Sequence, residues 1–233
     1  MLHDVTAEGG VGFCHSAVPA LLPVGYHGPL VLALDSNLLI DLQQYGHELL
    51  NDEITVTEEK YAKELESLGT VLNLWMLRDI RFVVTPRARS DARRWAPGFS
   101  ALIDGLAESL AFQFGDWTVA ALSSGPRLVQ VGEELGLPDG ADRDLVLEAQ
   151  SAGVHVFLTR DRRVLRRTNL TGPAMRVLAP SEVADELVIA GVSTFAGGTC
   201  AEPNCPYRDA DIPAPDIGKW GSLFSHFAES GLA

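Results

Sequence analysis

No stretch of this 233-residue chain approaches the roughly 18 consecutive apolar residues that span a bilayer. The first thirty residues also lack a basic segment followed by an apolar run and a small-residue cleavage site. A soluble, cytoplasmic protein with no membrane partner is the expectation. Cysteine is scarce, and the odd set Cys14, Cys200 and Cys205 is not a disulfide framework, which suits a reducing compartment. No histidines pair at metal-binding spacing, and no Ser-His-Asp or Cys-His arrangement offers a nucleophile; His47 and His155 read as ordinary helix and strand residues. Positive charge is short overall, with 18 Lys and Arg against 31 Asp and Glu for a formal −13. That sum by itself argues against a polyanionic partner.

What is present is an apolar content of 46%, enough for one sizeable core. Residues 1–28, rich in Gly, Ala and Pro without periodicity, read as an irregular extension. The run Leu30 to Leu34 ends at Asp35 as a strand buried on both faces would. Helical spacing follows over 36–50, weakened by Gly46, and again from a capped start at Thr57 to Lys60 through Trp75. A second strand over 81–85 stops at Pro86 and leads into a helix carrying Asp91. Helical stretches are expected at about 101–114, 116–136 and 142–152, the last ended by Gly153. Strands at 154–159 and 175–178 and a helix over 180–190 complete the pattern. Alternating strands and helices predict a three-layer α/β/α sandwich with a central parallel sheet over residues 29–190. Residues 191–233 turn to Gly, Pro, Cys and Asp and read as a tail.

In such a sheet, ligands bind beyond the carboxyl ends of the strands. The residues standing there are acidic: Asp35 after the first strand, Asp91 six residues past the second, Asp161 just after the third, and Asp142 opening the helix before it. Taken singly, Asp142 is a helix cap and Asp91 a surface residue. Jointly, converging carboxylates repel unless a cation neutralises them, so they point to a hard metal, Mg²⁺ or Mn²⁺. Eleven of the eighteen basic residues fall in two short runs, Arg78 to Arg94 and Arg160 to Arg167. As isolated runs they are solvated faces holding acidic neighbours. Beside an acidic centre they become phosphate contacts, with Arg87, Arg89, Arg93, Arg94, Arg160, Arg162 and Arg163 as the candidates.

The segment Leu34-Asp35-Ser36-Asn37-Leu38-Leu39-Ile40-Asp41-Leu42 resembles the opening strand motif of PIN-domain nucleases. So does Asp142-Arg143-Asp144-Leu145-Val146-Leu147-Glu148-Ala149, running through Gly153 to Thr159-Arg160-Asp161, and so does Arg176 to Glu182. The resemblance covers about residues 30–190. It implies a ribonuclease that hydrolyses phosphodiester bonds of RNA with Mg²⁺ or Mn²⁺. It also implies Asp35, Asp91, Asp142 and Asp161 as the catalytic, metal-holding cluster, and Ser36, Asn37, Asp144 and Thr159 as supports. Asp91 stands where many members have glutamate. Toxins with an antitoxin-like protein partner, and homodimers, occur in the same resemblance. Two other functions compete. One is a PIN-like module that binds RNA or protein without cutting. The other is a phosphatase of the haloacid-dehalogenase type, which would need an acid at Asn37 and a lysine beyond a later strand. Cys200-x4-Cys205 with His226 and Cys14 is a poor match to zinc motifs, whose ligand pairs repeat at tighter spacing.

Overall fold

In a computed structural model of the chain, the described residues are 11–111, 136–167, 175–192, 200, 202–208 and 214–229. Two short antiparallel strands, β1 (Phe13–Cys14) and β2 (His27–Gly28), precede the main sheet. That sheet has four parallel strands, β3 (Leu30–Leu34), β4 (Ile80–Val83), β5 (Val156–Leu158) and β6 (Arg176–Leu178), in the order β4-β3-β5-β6. Every side chain of β3 is buried, because a central strand of a parallel sheet has helices over both faces. Those helices are α1 (Ser36–Asn51), α2 (Glu59–Trp75), α3 (Pro86–Trp95), α4 (Ser100–Ala111), α5 (Ala141–Ser151), α6 (Arg162–Arg167), α7 (Pro180–Ile189) and α8 (Ile217–Glu229). The protein is a three-layer α/β/α sandwich, with α1, α3 and α4 packed together and α2 on α7. No helix among the described residues is long and apolar enough to cross a membrane.

Local chemistry sets the element ends. Thr85 does not extend β4; its hydroxyl accepts the Ala88 N–H at 3.3 Å and caps α3, with Pro86 in the first turn. Gly153 adopts φ +72° after α5, the left-handed conformation that a helix-ending glycine takes at little cost. The cap expected near Thr57 is not formed: α2 begins after Glu58, whose side chain makes no capping bond. The helix expected over 116–136 lies almost wholly outside the described residues.

The two flanking segments are not loose appendages. Phe13, Val18, Leu21 and Leu22 of the N-terminal segment and Leu223 and Phe227 of α8 belong to the same core as the sheet. At roughly 1.5–3 kcal/mol per fully buried large apolar side chain, these residues are part of what holds the fold. Composition alone hid this, since a few well-placed apolar residues suffice to dock a Gly- and Pro-rich segment.

Candidate metal and nucleic-acid site

The strand order fixes where the site lies. From β3 the chain moves outward to β4, and from β5 it moves outward in the other direction to β6. Helices therefore diverge between the carboxyl ends of β3 and β5, leaving a crevice at that switch point. Asp35 follows β3 and Thr159, Arg160 and Asp161 follow β5, so both sets stand at its mouth. The Asp35 N–H donates to the Leu158 carbonyl at 3.0 Å, extending the ladder up to the site.

Asp35 is buried, and both of its oxygens are engaged. Oδ1 accepts from the Ser36 backbone at 2.6 Å and the Ser36 hydroxyl at 3.2 Å; Oδ2 accepts from Thr159 Oγ1 at 2.5 Å and Asn37 Nδ2 at 2.7 Å. Thr159 Oγ1 in turn accepts the Asp161 N–H at 3.0 Å. One hydroxyl thus ties the Asp35 carboxylate to the backbone of Asp161. Burial pushes the Asp35 carboxyl above the ordinary carboxylate range against the pull of these donors, and the charge of Asp161 adds to the rise. Asp161 is held low instead, by the Arg163 guanidinium at 2.8 Å and the Arg163 backbone N–H at 2.7 Å. Asn37 Oδ1, the other end of the amide whose Nδ2 meets Asp35 and Thr159, is buried without a hydrogen-bond partner.

The other expected acids are placed differently. Asp142 reaches the cluster through Arg163, whose charge it helps to stabilise. Asp144 pairs with Arg87 at 3.2 Å and so ties α5 to α3. Asp91 is buried on α3 and ion-paired with Arg94 at 3.0 Å. Among the described residues no hydrogen bond links Asp91 to Asp35 or Asp161.

Most of the arginines are occupied. Arg89 bonds Asp104 at 2.5 Å and Glu108 at 3.3 Å, and Arg93 reaches Asp104 at 3.5 Å. Arg94 also lies over the Trp95 ring. Arg78 and Arg81 stand at the amino end of β4, the opposite edge of the sheet. Arg160 carries a bidentate pair to Asp41, at 2.5 and 3.0 Å, and lies over the Tyr61 ring at 4.6 Å. Burial works against the Arg160 charge, but Asp41 outweighs it and pushes the guanidinium pKa up. The runs are therefore largely faces that hold acidic neighbours. Arg162 is exposed, and among the described residues no acidic partner is assigned to it.

Sequence reasoning missed the wall beside the crevice. A cleft of about 840 Å³ opens there, lined among others by Asn37, Lys60, Tyr61, Arg160, Asp161 and Arg162. Asp41 underpins it from within α1: its carboxylate takes the Tyr61 hydroxyl at 2.6 Å as well as Arg160. The signal was available, because Asp41 interrupts an apolar helix face four residues after Asn37, and a charge so placed needs a buried partner. Glu64 anchors the far wall by accepting from the Ser181 backbone and hydroxyl at 3.0 and 2.8 Å, at the start of α7. No family model, no curated protein and no solved structure matches the chain.

Proposed function

We propose that the chain is a metal-dependent endoribonuclease of the PIN-domain kind, acting on single-stranded RNA with Mg²⁺ or Mn²⁺. The observation that carries this reading is the meeting of Asp35 and Asp161 through Thr159 at the switch-point crevice, with the unpartnered Asn37 Oδ1 beside them. Two carboxylates and an amide oxygen, with no histidine or thiol among them, suit a hard cation. A divalent ion held by Asp35, Asp161 and Asn37 would polarise water and offset charge on phosphodiester oxygens.

In this reading the chain's own residues have distinct tasks. Thr159 holds the Asp35 carboxylate against the backbone that carries Asp161. Arg163 neutralises Asp161 until a cation takes over, and Asp142 adds to the negative field that draws the cation in. Lys60 and Arg162, on the cleft wall, meet the flanking phosphates. Asp91 stays a buried structural ion pair and is not assigned as a ligand. Arg160 positions the wall and does not grip phosphate.

A second reading, a module that binds RNA or protein without cutting, is favoured by the Arg163–Asp161 pair and by the joining of only two of the four acids. The phosphatase reading is weakened. Asn37 holds the second acidic position, and Lys219 donates to the Trp75 carbonyl at 2.9 Å, at the amino edge of the sheet. Purified protein incubated with single-stranded RNA and Mn²⁺ is expected to yield internal cleavage products, with none in excess EDTA and none for folded Asp161→Asn. Binding of the RNA without cleavage at any metal concentration would select the second reading, and undiminished cleavage in EDTA would overturn the first.

A further inference from the structure

The chain's three cysteines come from opposite ends of the sequence, Cys14 in β1 and Cys200 and Cys205 in the segment before α8, and they converge at the amino edge of the sheet. All three are buried free thiols. Their sulfur atoms lie within 4.8 Å of one another.

We infer that Cys14, Cys200 and Cys205 form a structural zinc site that fastens the N-terminal segment to the 200–208 segment. Zinc–sulfur bonds of about 2.3 Å in a tetrahedron place thiolates about 3.8 Å apart, so the cluster needs only a slight contraction. Soft thiolates select zinc over the hard cations of the acidic crevice. Apolar packing is a weak alternative: the cysteines cluster with Tyr207 and the partly buried Val11 and Ala17, apart from the main core. The described part of 200–208 has turn bonds, Glu202 to Cys205 and Cys205 to Arg208, but no helix or strand to stabilise it. Yet Tyr207 is pressed against Gly12, where a Cβ would lie 2.5 Å from the Tyr207 hydroxyl. A segment without secondary structure held this closely needs a staple, and metal ligation is one that uses all three sulfurs. His226, the partner that spacing suggested, is elsewhere, bonded to Gln43 at 2.8 Å. Among the described residues no fourth Cys, His, Asp or Glu joins the group. In this site water takes the fourth position.

This inference is independent of the nuclease reading and is tested on the full chain, purified under reducing conditions from zinc-containing medium. Elemental analysis is expected to give equimolar zinc, and titration of the thiols with a mercurial should release it in step with thiol modification. Asp35→Asn/Asp161→Asn should keep the zinc, Cys205→Ser should lose it, and Cys205→His, which preserves a ligand, should retain it. Cobalt added to metal-free protein should produce a thiolate-to-cobalt charge-transfer band. If Cys205→Ser fails to fold, the wild-type titration and the Cys205→His variant still decide. The proposal is overturned if reduced wild type neither contains nor takes up equimolar zinc, if zinc is lost from the double aspartate variant but kept by Cys205→Ser, or if peptide mapping of unreduced protein finds a disulfide among the three.

Discussion

Asp35 illustrates how one residue serves opposite ends with and without a cation. Its four hydrogen-bond donors do not offset burial, so its pKa in the folded chain stands above the unfolded value. Stability from such a group is full below the ordinary carboxylate range and is lost as pH rises through the raised folded value. At neutral pH without metal, ionised Asp35 therefore weakens the fold. Asp35→Asn removes the charge, and the Asn37 amide can turn so that its unpartnered oxygen accepts from the new amide. We expect Asp35→Asn to melt about 2–4 °C above wild type in EDTA, the shift that about 1 kcal/mol gives in a chain of this size. The gain should shrink as pH falls through the raised Asp35 value and vanish below the ordinary carboxylate range. His155, whose pKa burial lowers to about 4, titrates in both proteins and cancels in the difference. With Mn²⁺ a hundredfold above its Kd the order should reverse, since wild type gains about 2.7 kcal/mol and the variant far less. Equal melting shifts on adding Mn²⁺ would remove Asp35 from the metal site.

Among the elements, α1 and α8 show what pattern reading catches and what escapes it. The strand β3 and the residues at its end were legible because a doubly covered parallel strand must be continuously apolar, so a carboxylate closing it stands out. Asp161 was legible for the same reason, directly beyond β5. The pairing of the arginines was not: Asp41 stands out as a charge that needs a partner, but it lies 119 residues from Arg160, and nothing local marks Arg160 as occupied and Arg162 as exposed. Gly46 was legible only as a weakness in α1. Its use appears when α8 docks, because an added Cβ would lie 2.0 Å from the Phe227 ring. Trp220, Leu223, Phe224 and Phe227, at spacings of three and four, are the hint that this stretch holds a packed helix. Alanine is a better helix former than glycine by about 1 kcal/mol, yet overpacking costs about 1–3 kcal/mol. Gly46→Ala is accordingly expected to lower stability in chemical denaturation by up to about 2 kcal/mol, and Gly46→Ala/Phe227→Leu to recover part of it. A stabilised single variant would mean that α8 does not dock on α1 in solution.

For the molecule as a whole, a formal charge of −13 and arginines paired internally leave few cations for a polyanion. If Lys60 and Arg162 supply most of the phosphate contacts, RNA affinity should fall with salt at a slope near −1.4 on logarithmic axes, about 0.7 per contact for single strands. Arg162→Ala should flatten that slope by about 0.7. A slope several times steeper, unchanged in Arg162→Ala, would place the phosphate contacts elsewhere. Binding should also strengthen with Mg²⁺, which lowers repulsion from the acidic surface.

The pairing of β3 with β5 sets a timetable for all of this. Asp35 and Thr159 are 124 residues apart in sequence, and closing a loop of that length costs about 4 kcal/mol of chain entropy beyond a constant. The local β3–α1 unit presents Asp35 with no second carboxylate until the ladder to β5 has formed. During synthesis the first half of the site thus waits for most of the chain to emerge, and the crevice can come into being only as one of the last acts of folding. An unfinished chain carries Asp35 but no assembled site, so chemistry at the crevice would be confined to molecules whose central sheet is already joined.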